Sequence, residues 1–260
     1  MAEMGRVVVL THRHLLHYCL IGRLAEHFSL SLVIYERQSL GKSVRLFARR
    51  ARRLGWGAVG GQFVYFLWDR LYVQPRSRAQ ISRILAACGA DAPGPEIPQM
   101  DVNSVNDDIV AETLEALRPD VCVVAGTSII RSHILEKAPV FLNVHAGITP
   151  GYRGAHGAFW AIYEGRPELA GVTVHVVDSG IDTGGIVAQA PIVVEPQDTP
   201  RTLVAKQYVA AMPLLVAAVR QALDHALTTS SRDDLDSRLW YSPTPADYWR
   251  FRKQLSRLPK

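Results

Sequence analysis

Cysteine is scarce in this sequence: Cys19, Cys88 and Cys122 are the only three in 260 residues, odd in number and widely spaced. That usage fits reduced, buried thiols better than a disulfide framework or a zinc site. Apolar runs are short. None approaches the roughly 18 consecutive residues of a spanning helix, so no transmembrane segment is expected. The N-terminus, MAEMGRVVVL, carries an acid and lacks the basic region, long apolar stretch and cleavage site of a secretory signal, which predicts a cytoplasmic protein. Repeats and low-complexity segments are missing too. Acid is absent locally: no Asp or Glu lies between Arg37 and Leu67, while Arg37, Lys42, Arg45, Arg49, Arg50, Arg52 and Arg53 place seven bases in seventeen positions. The bulk composition is otherwise that of a globular protein, 48% hydrophobic and 20% charged with a net charge of +5. A chain of this length suits one large domain, or one domain with appendages.

The order of elements predicts an α/β fold: a Rossmann-like, mostly parallel twisted sheet with helices on both faces. RVVVL (6–10) and SLVIYE (31–36) are β-branched apolar runs, and between them residues 15–28 carry apolar residues at helical spacing. The unit recurs as a helix over 106–120, a strand over 121–126, a short helix in RSHILEKAP and a strand over 140–145. A helix around 155–164, strands over 172–178 and 186–194, and a closing helix over 199–227 follow, the last with Thr199 as cap and Pro200 in its first turn. We read residues 1–227 as one domain. Residues 37–90 are too long for a strand connection and form a helical insertion, and 228–260 form a tail rich in aromatics and bases. The basic segment Lys42–Arg53 has three readings. It is a solvated helix face, a contact for substrate diphosphate, or, joined to the aromatics up to Trp68, an amphipathic element on anionic membrane.

Chemistry concentrates in NVHAGITPGYRGAHGAFW (143–160). Asn143 and His145 are two apart at a strand end and so point to one face. Asp182 lies in DSGIDTGG, a turn between two later strands. In an open parallel sheet, ligands bind beyond the carboxyl ends of strands, where these three can converge. An amide donor and an imidazolium stabilise an oxyanion, and a carboxylate orients the imidazole or takes an amine proton. Such a trio suits attack of a neutral amine on an activated acyl carbon without a serine or cysteine nucleophile. His12, His14 and His17 in THRHLLH fit no common closed metal site, and no metal is expected.

Over about 105–195 the chain resembles the folate-dependent formyltransferases. The resemblance rests on Asn143-Val144-His145, on Pro150-Gly151-Tyr152-Arg153-Gly154, on Thr173-Val174-His175 and on Asp182-Thr183-Gly184, in order, with 37 positions from His145 to Asp182. It implies transfer of a formyl group from the co-substrate N10-formyltetrahydrofolate to a primary amine. Asn143 would donate to the formyl oxygen. His145 would stabilise the tetrahedral oxyanion, and Asp182 would hold His145 charged and take the amine's proton. The folate would lie against Val124–Ile130 (Gly126, Thr127, Ile129, Ile130) and Val177–Ile181 (Val177, Gly180, Ile181). Tyr152, Arg153 and Trp160 would meet the acceptor, while His175 is structural.

Departures from known branches bear on that acceptor. Glycinamide ribonucleotide formyltransferases place a Gly/Ser-rich phosphate loop where this chain has THRHLLH. Methionyl-tRNA formyltransferases carry an extra C-terminal barrel, whereas some 33 residues follow the last helix here. Formyltetrahydrofolate deformylases carry an N-terminal regulatory domain. The expectation is therefore a small-molecule amine, an amino sugar on a nucleotide or lipid carrier as in polysaccharide biosynthesis, with no nucleic-acid partner. Other amine metabolites, or hydrolysis of the formyl-folate, are the alternatives. The aromatic tail either forms a homodimer arm or covers the core.

Overall fold

The computed structural model describes residues 5–37, 55–86 and 96–258, so Cys88 and the basic segment Lys42–Arg53 lie outside the described residues. Its centre is a seven-stranded sheet: β1 (Val7–Thr11), β2 (Leu30–Glu36), β3 (Gln99–Val102), β4 (Val121–Ala125), β5 (Phe141–His145), β7 (Gly171–Val176) and β8 (Ile186–Pro191). The order across it is β3-β2-β1-β4-β5-β7-β8. The five strands from β3 to β5 run parallel, whereas β7 and β8 are antiparallel additions. The expected mostly parallel α/β sheet is what forms. Strand β3, reading QMDV, escaped the sequence because it is an edge strand with two of its four residues exposed and no apolar run.

Helices cover both faces. On one, α1 (Leu15–Ala25) and α7 (Pro200–Leu223) bury Leu20, Ile21, Leu24, Met212, Leu215 and Val219 against the strands. On the other, α4 (Asp108–Leu117) and α5 (Ser132–Leu135) close over Val8, Leu10, Ile34 and Val124. Helix α7 begins at a capping box made by Thr199 and Thr202, with Pro200 at its first turn. Counting consecutive apolar residues missed one property of α7: by length and overall composition it is apolar enough to cross a membrane. More than half of its apolar stretch, 56%, is buried against the rest of the protein, which is how a core helix passes that test.

The insertion is helical where described. α2 (Trp56–Trp68) runs through a π-helical turn (Asp69–Val73) into α3 (Gln74–Ala86). Its inner side is tied down by the buried Asp69, which pairs with Arg201 at the start of α7, and by Ser77, whose hydroxyl contacts Thr199 at 2.8 Å. The tail folds back on the body. Its helix α8 (Pro245–Leu255) stacks Phe251 on Phe159 of α6 (Gly157–Tyr163) with ring centres 4.5 Å apart. Its strand β9 (Leu239–Trp240) pairs with β6 (Arg153–Gly154). The tail thus braces the loop that follows β5.

Candidate active site

Register brings the trio together. β5 and β7 are antiparallel neighbours, with Asn143 opposite His175 and His145 opposite Thr173. The chain leaving β7 then turns back, with Asp182 in the left-handed region at φ 50°. Its carboxylate lies 3.3 Å from His145 Nδ1 through Oδ2 and 3.6 Å from His175 Nε2 through Oδ1. It accepts hydrogen bonds from Asn143 Nδ2 at 3.4 Å and from the Gly154 amide at 2.9 Å. His145 is buried and Asp182 only 14% exposed, so these interactions act in a low dielectric.

The other nitrogen of His145, Nε2, is 2.7 Å from the carbonyl oxygen of Tyr152. A carbonyl only accepts, so Nε2 carries a hydrogen. The loop achieves this approach because residue 147 is glycine. A Cβ there would stand 2.4 Å from Tyr152 O and 2.7 Å from His145 Nε2. Thr173, fully buried below the loop, donates to Gly147 O at 2.7 Å and accepts from the Thr149 amide at 3.1 Å and from Gln189 at 3.0 Å.

Burial lowers the pKa of His145, opposed by the Asp182 charge and the Tyr152 carbonyl. For Asp182, burial pushes upward, but the His175 hydrogen bond, the His145 charge and the Gly154 amide outweigh it, and its pKa is lowered. Burial thus favours the neutral imidazole while the Asp182 carboxylate favours the charged one, and burial is the larger of the two influences. His175, expected to be structural, is in contact with the trio. Its Nδ1 donates to Val176 O at 2.8 Å, and its Nε2 lies 3.0 Å from Asn143 Nδ2. This fixes the orientation of the Asn143 amide. The signal lay in the β5–β7 pairing, and neither strand shows its pairing partner in its own sequence.

The two segments expected to face folate border the site. Val124 and Ile130 lie in the same apolar cluster as Val177, which brings the two segments together. Ile129 and Ile181 are exposed, as apolar walls of a ligand slot would be. Ile130 is not a wall: at 4% exposure it is core. Gly126 takes φ 71°, which a side chain would resist, and its carbonyl accepts from His12 Nδ1 at 2.9 Å. Thr127 follows it, its hydroxyl donating to Ser128 O at 3.0 Å. Glu36 holds the segment by accepting from the Ser128 amide at 2.7 Å and hydroxyl at 2.9 Å. Asn106 clamps the next turn, donating to Ile129 O at 2.9 Å and accepting from Arg131 N at 2.7 Å. Gly180 sits in a turn whose amide donates to Asp178 at 3.0 Å. Sequence reasoning singled out neither Glu36 nor Asn106, since a clamp between distant loops leaves no local motif.

Two acceptor contacts need correcting. Tyr152 is buried, its hydroxyl donating to Glu164 at 2.9 Å and its ring stacked on Trp240. Trp160 is buried as well, donating from Nε1 to Tyr241 O at 2.9 Å and stacking on Trp240 at 4.5 Å. Both are loop supports, because the tail supplies the aromatic surface they pack on. Arg153 remains at the site. One terminal nitrogen donates to Ile181 O at 3.1 Å, while its buried Nε has no hydrogen-bond partner among the described residues. The N-terminal imidazoles hold structure: His14 caps α1, and burial pushes His17, 2.9 Å from Tyr208 Oη, down to about 3.

The family model of the formyl transferases matches residues 75–219, more than half of the chain. The chain belongs to the formyl transferase family. Among its relatives is a methionyl-tRNA formyltransferase from Chlorobium chlorochromatii, 33% identical over 144 residues, which cover 55% of this chain and 46% of the relative. The chain thus spans about half the length of the curated relatives it matches. The fold is shared with a sugar N-formyltransferase from a Shewanella species, at a TM-score of 0.59 and 15% identity, covering 97% of this chain and 88% of that one. It is likewise shared with glycinamide ribonucleotide transformylase 1 from Symbiobacterium toebii, at 0.58 and 20%, covering 89% and 93%. The family match includes every residue of the Asn143, His145 and Asp182 cluster.

Proposed function

We propose that this chain transfers the formyl group of N10-formyltetrahydrofolate to a primary amine, and that the acceptor is an amino sugar on a nucleotide or lipid carrier. The observation that carries the reaction is the convergence on one carboxylate: Asp182 touches Asn143, His145 and the Gly154 amide within 3.4 Å. The amine attacks the formyl carbon, a C–N bond forms and the oxygen becomes anionic. Asn143 turns a donor to that oxygen by releasing Asp182, the longer of its two bonds. The amine's proton passes to the Asp182–His145 pair and returns to N10 as the C–N10 bond breaks. Arg153, half-buried beside the Asp182 turn, meets an oxygen of the acceptor through its guanidinium.

Fold likeness to a sugar N-formyltransferase over 97% of this chain supports the sugar reading. The sequence identity favours a second one, formylation of methionyl-tRNA. The two part in a panel of amino-sugar nucleotides, glycinamide ribonucleotide and charged initiator tRNA, each offered with the formyl-folate while its absorbance is followed. Turnover with tRNA and none with sugars rejects the sugar acceptor. Release of tetrahydrofolate without any amine rejects transfer in favour of hydrolysis.

A further inference from the structure

The insertion carries a surface that formyl transfer does not use. Along α2 and the π turn, Trp56 is 76% exposed, Val64 55%, Leu71 65%, and Phe63 and Leu67 more than 40%. These positions follow helical spacing and line one stripe. The opposite side, with Val59, Gln62, Tyr65 and Asp69, is buried against the protein. From Trp56 to Trp68 the helix has no charged residue. An apolar stripe of this size on water is costly and marks a contact surface.

The charge around the stripe selects its occupant. Arg70, Arg76, Arg78 and Arg83 are exposed on the π turn and α3, and the one acid of this helical run, Asp69, is buried and paired with Arg201. Arg76 lies over the Tyr72 ring at 5.4 Å, which sets a base beside the apolar face. Residues 37–90 hold eleven Lys and Arg against that single acid, so they carry +10 and the remaining residues −5. A two-fold contact between copies through this face would set Arg70, Arg76 and Arg78 against their own copies. Val64, Leu67 and Leu71, set among the aromatics Trp56 and Phe63, suit acyl chains better than stacked bases.

We propose that the outer face of α2 docks on an anionic lipid bilayer, with its apolar stripe among the acyl chains and the arginines at the headgroups. The helix lies on the bilayer and does not cross it, since its inner side is held by the protein. The same helix reaches the catalytic loop, with Tyr65 edge-on to His156 at 6.4 Å, so docking sets the loop after β5 near the membrane surface.

Co-sedimentation with vesicles of phosphatidylcholine alone and of phosphatidylcholine with phosphatidylglycerol tests the docking without reference to activity. Two variants join the wild type: Trp56→Ser/Leu67→Ser/Leu71→Ser, and Arg70→Gln/Arg76→Gln/Arg78→Gln. All six side chains are exposed, and unchanged thermal melts confirm intact folds. The wild type partitions to the anionic vesicles at low salt and is released at high salt, and each variant partitions at least about tenfold less. Equal partitioning of wild type and variants overturns the proposal. So does a dimer that the apolar variant abolishes, or RNA that displaces the protein from the vesicles.

Discussion

Gly147→Ala tests the geometry of the site more sharply than removal of any charged group. The new Cβ would stand 2.4 Å from Tyr152 O and 2.7 Å from His145 Nε2, and Gly157 Cα would be 3.2 Å away. Ordinary contact begins near 3.4 Å, so the carbonyl or the ring must retreat by about 1 Å. The hydrogen bond of 2.7 Å between them then breaks. A misplacement of about 1 Å at a reacting group costs on the order of 10²-fold in rate. Overpacking costs about 1–3 kcal/mol of stability, or roughly 2–12 °C in melting temperature at this chain length. The assay pairs formyl-transfer kcat with a thermal melt and with the dissociation constant of the folate. A folded Gly147→Ala protein should bind folate normally and turn over about a hundredfold more slowly. Gly60→Ala is the control, since nothing lies within 4 Å of a Cβ there; it should be neutral or slightly stabilising. Wild-type turnover by folded Gly147→Ala would refute the claim that His145 is held by the Tyr152 carbonyl.

Asp182→Asn keeps the shape of the central carboxylate and removes its charge, so kcat should fall about 10²–10⁴-fold while folate affinity changes little; single-turnover rates beside equilibrium binding check this. Phe251→Ala deletes a fully buried ring stacked on Phe159 and should cost about 3–5 kcal/mol in denaturant unfolding, as expected if the tail is part of the core. His17, buried and lowered to about 3, stays neutral in the fold while the unfolded chain protonates it near 6.5. Below about pH 6.5 the unfolded state then binds the extra proton, so stability falls as pH falls, by at most about 1.4 kcal/mol per unit until pH 3. His17→Asn should flatten that slope in urea melts taken from pH 7 to pH 4, and an unchanged slope would refute the assignment.

The fold was legible wherever burial on both sides of a strand wrote a continuous apolar run, as in RVVVL, VCVVA and VFLNV. It was illegible at the edges. QMDV pairs through backbone groups, and LW of β9 is two residues long, so neither carries a pattern of its own. The trio could be read because Asn143 and His145 share one strand and Asp182 stands in a glycine-rich turn. What supports the trio could not. Tyr152 and Trp160 look like substrate contacts in sequence because exposed aromatics and buried ones are the same letters. Trp240, some eighty residues on, decides between them by stacking on both.

The proton inventory of the site follows from the same contacts. With Nε2–H committed to the Tyr152 carbonyl, His145 turns its Nδ1 to the carboxylate of Asp182. The two atoms lie 3.3 Å apart in a buried space. A proton that enters between them is shared by both groups, and either group alone would be a weaker base. Attack by an amine supplies that proton at the moment an anion forms beside Asn143. A charged Asp182–His145 pair would meet this demand only after losing its proton first. The arrangement therefore fits a neutral amine as nucleophile, and transfer should gain rate with pH until the amine itself is deprotonated.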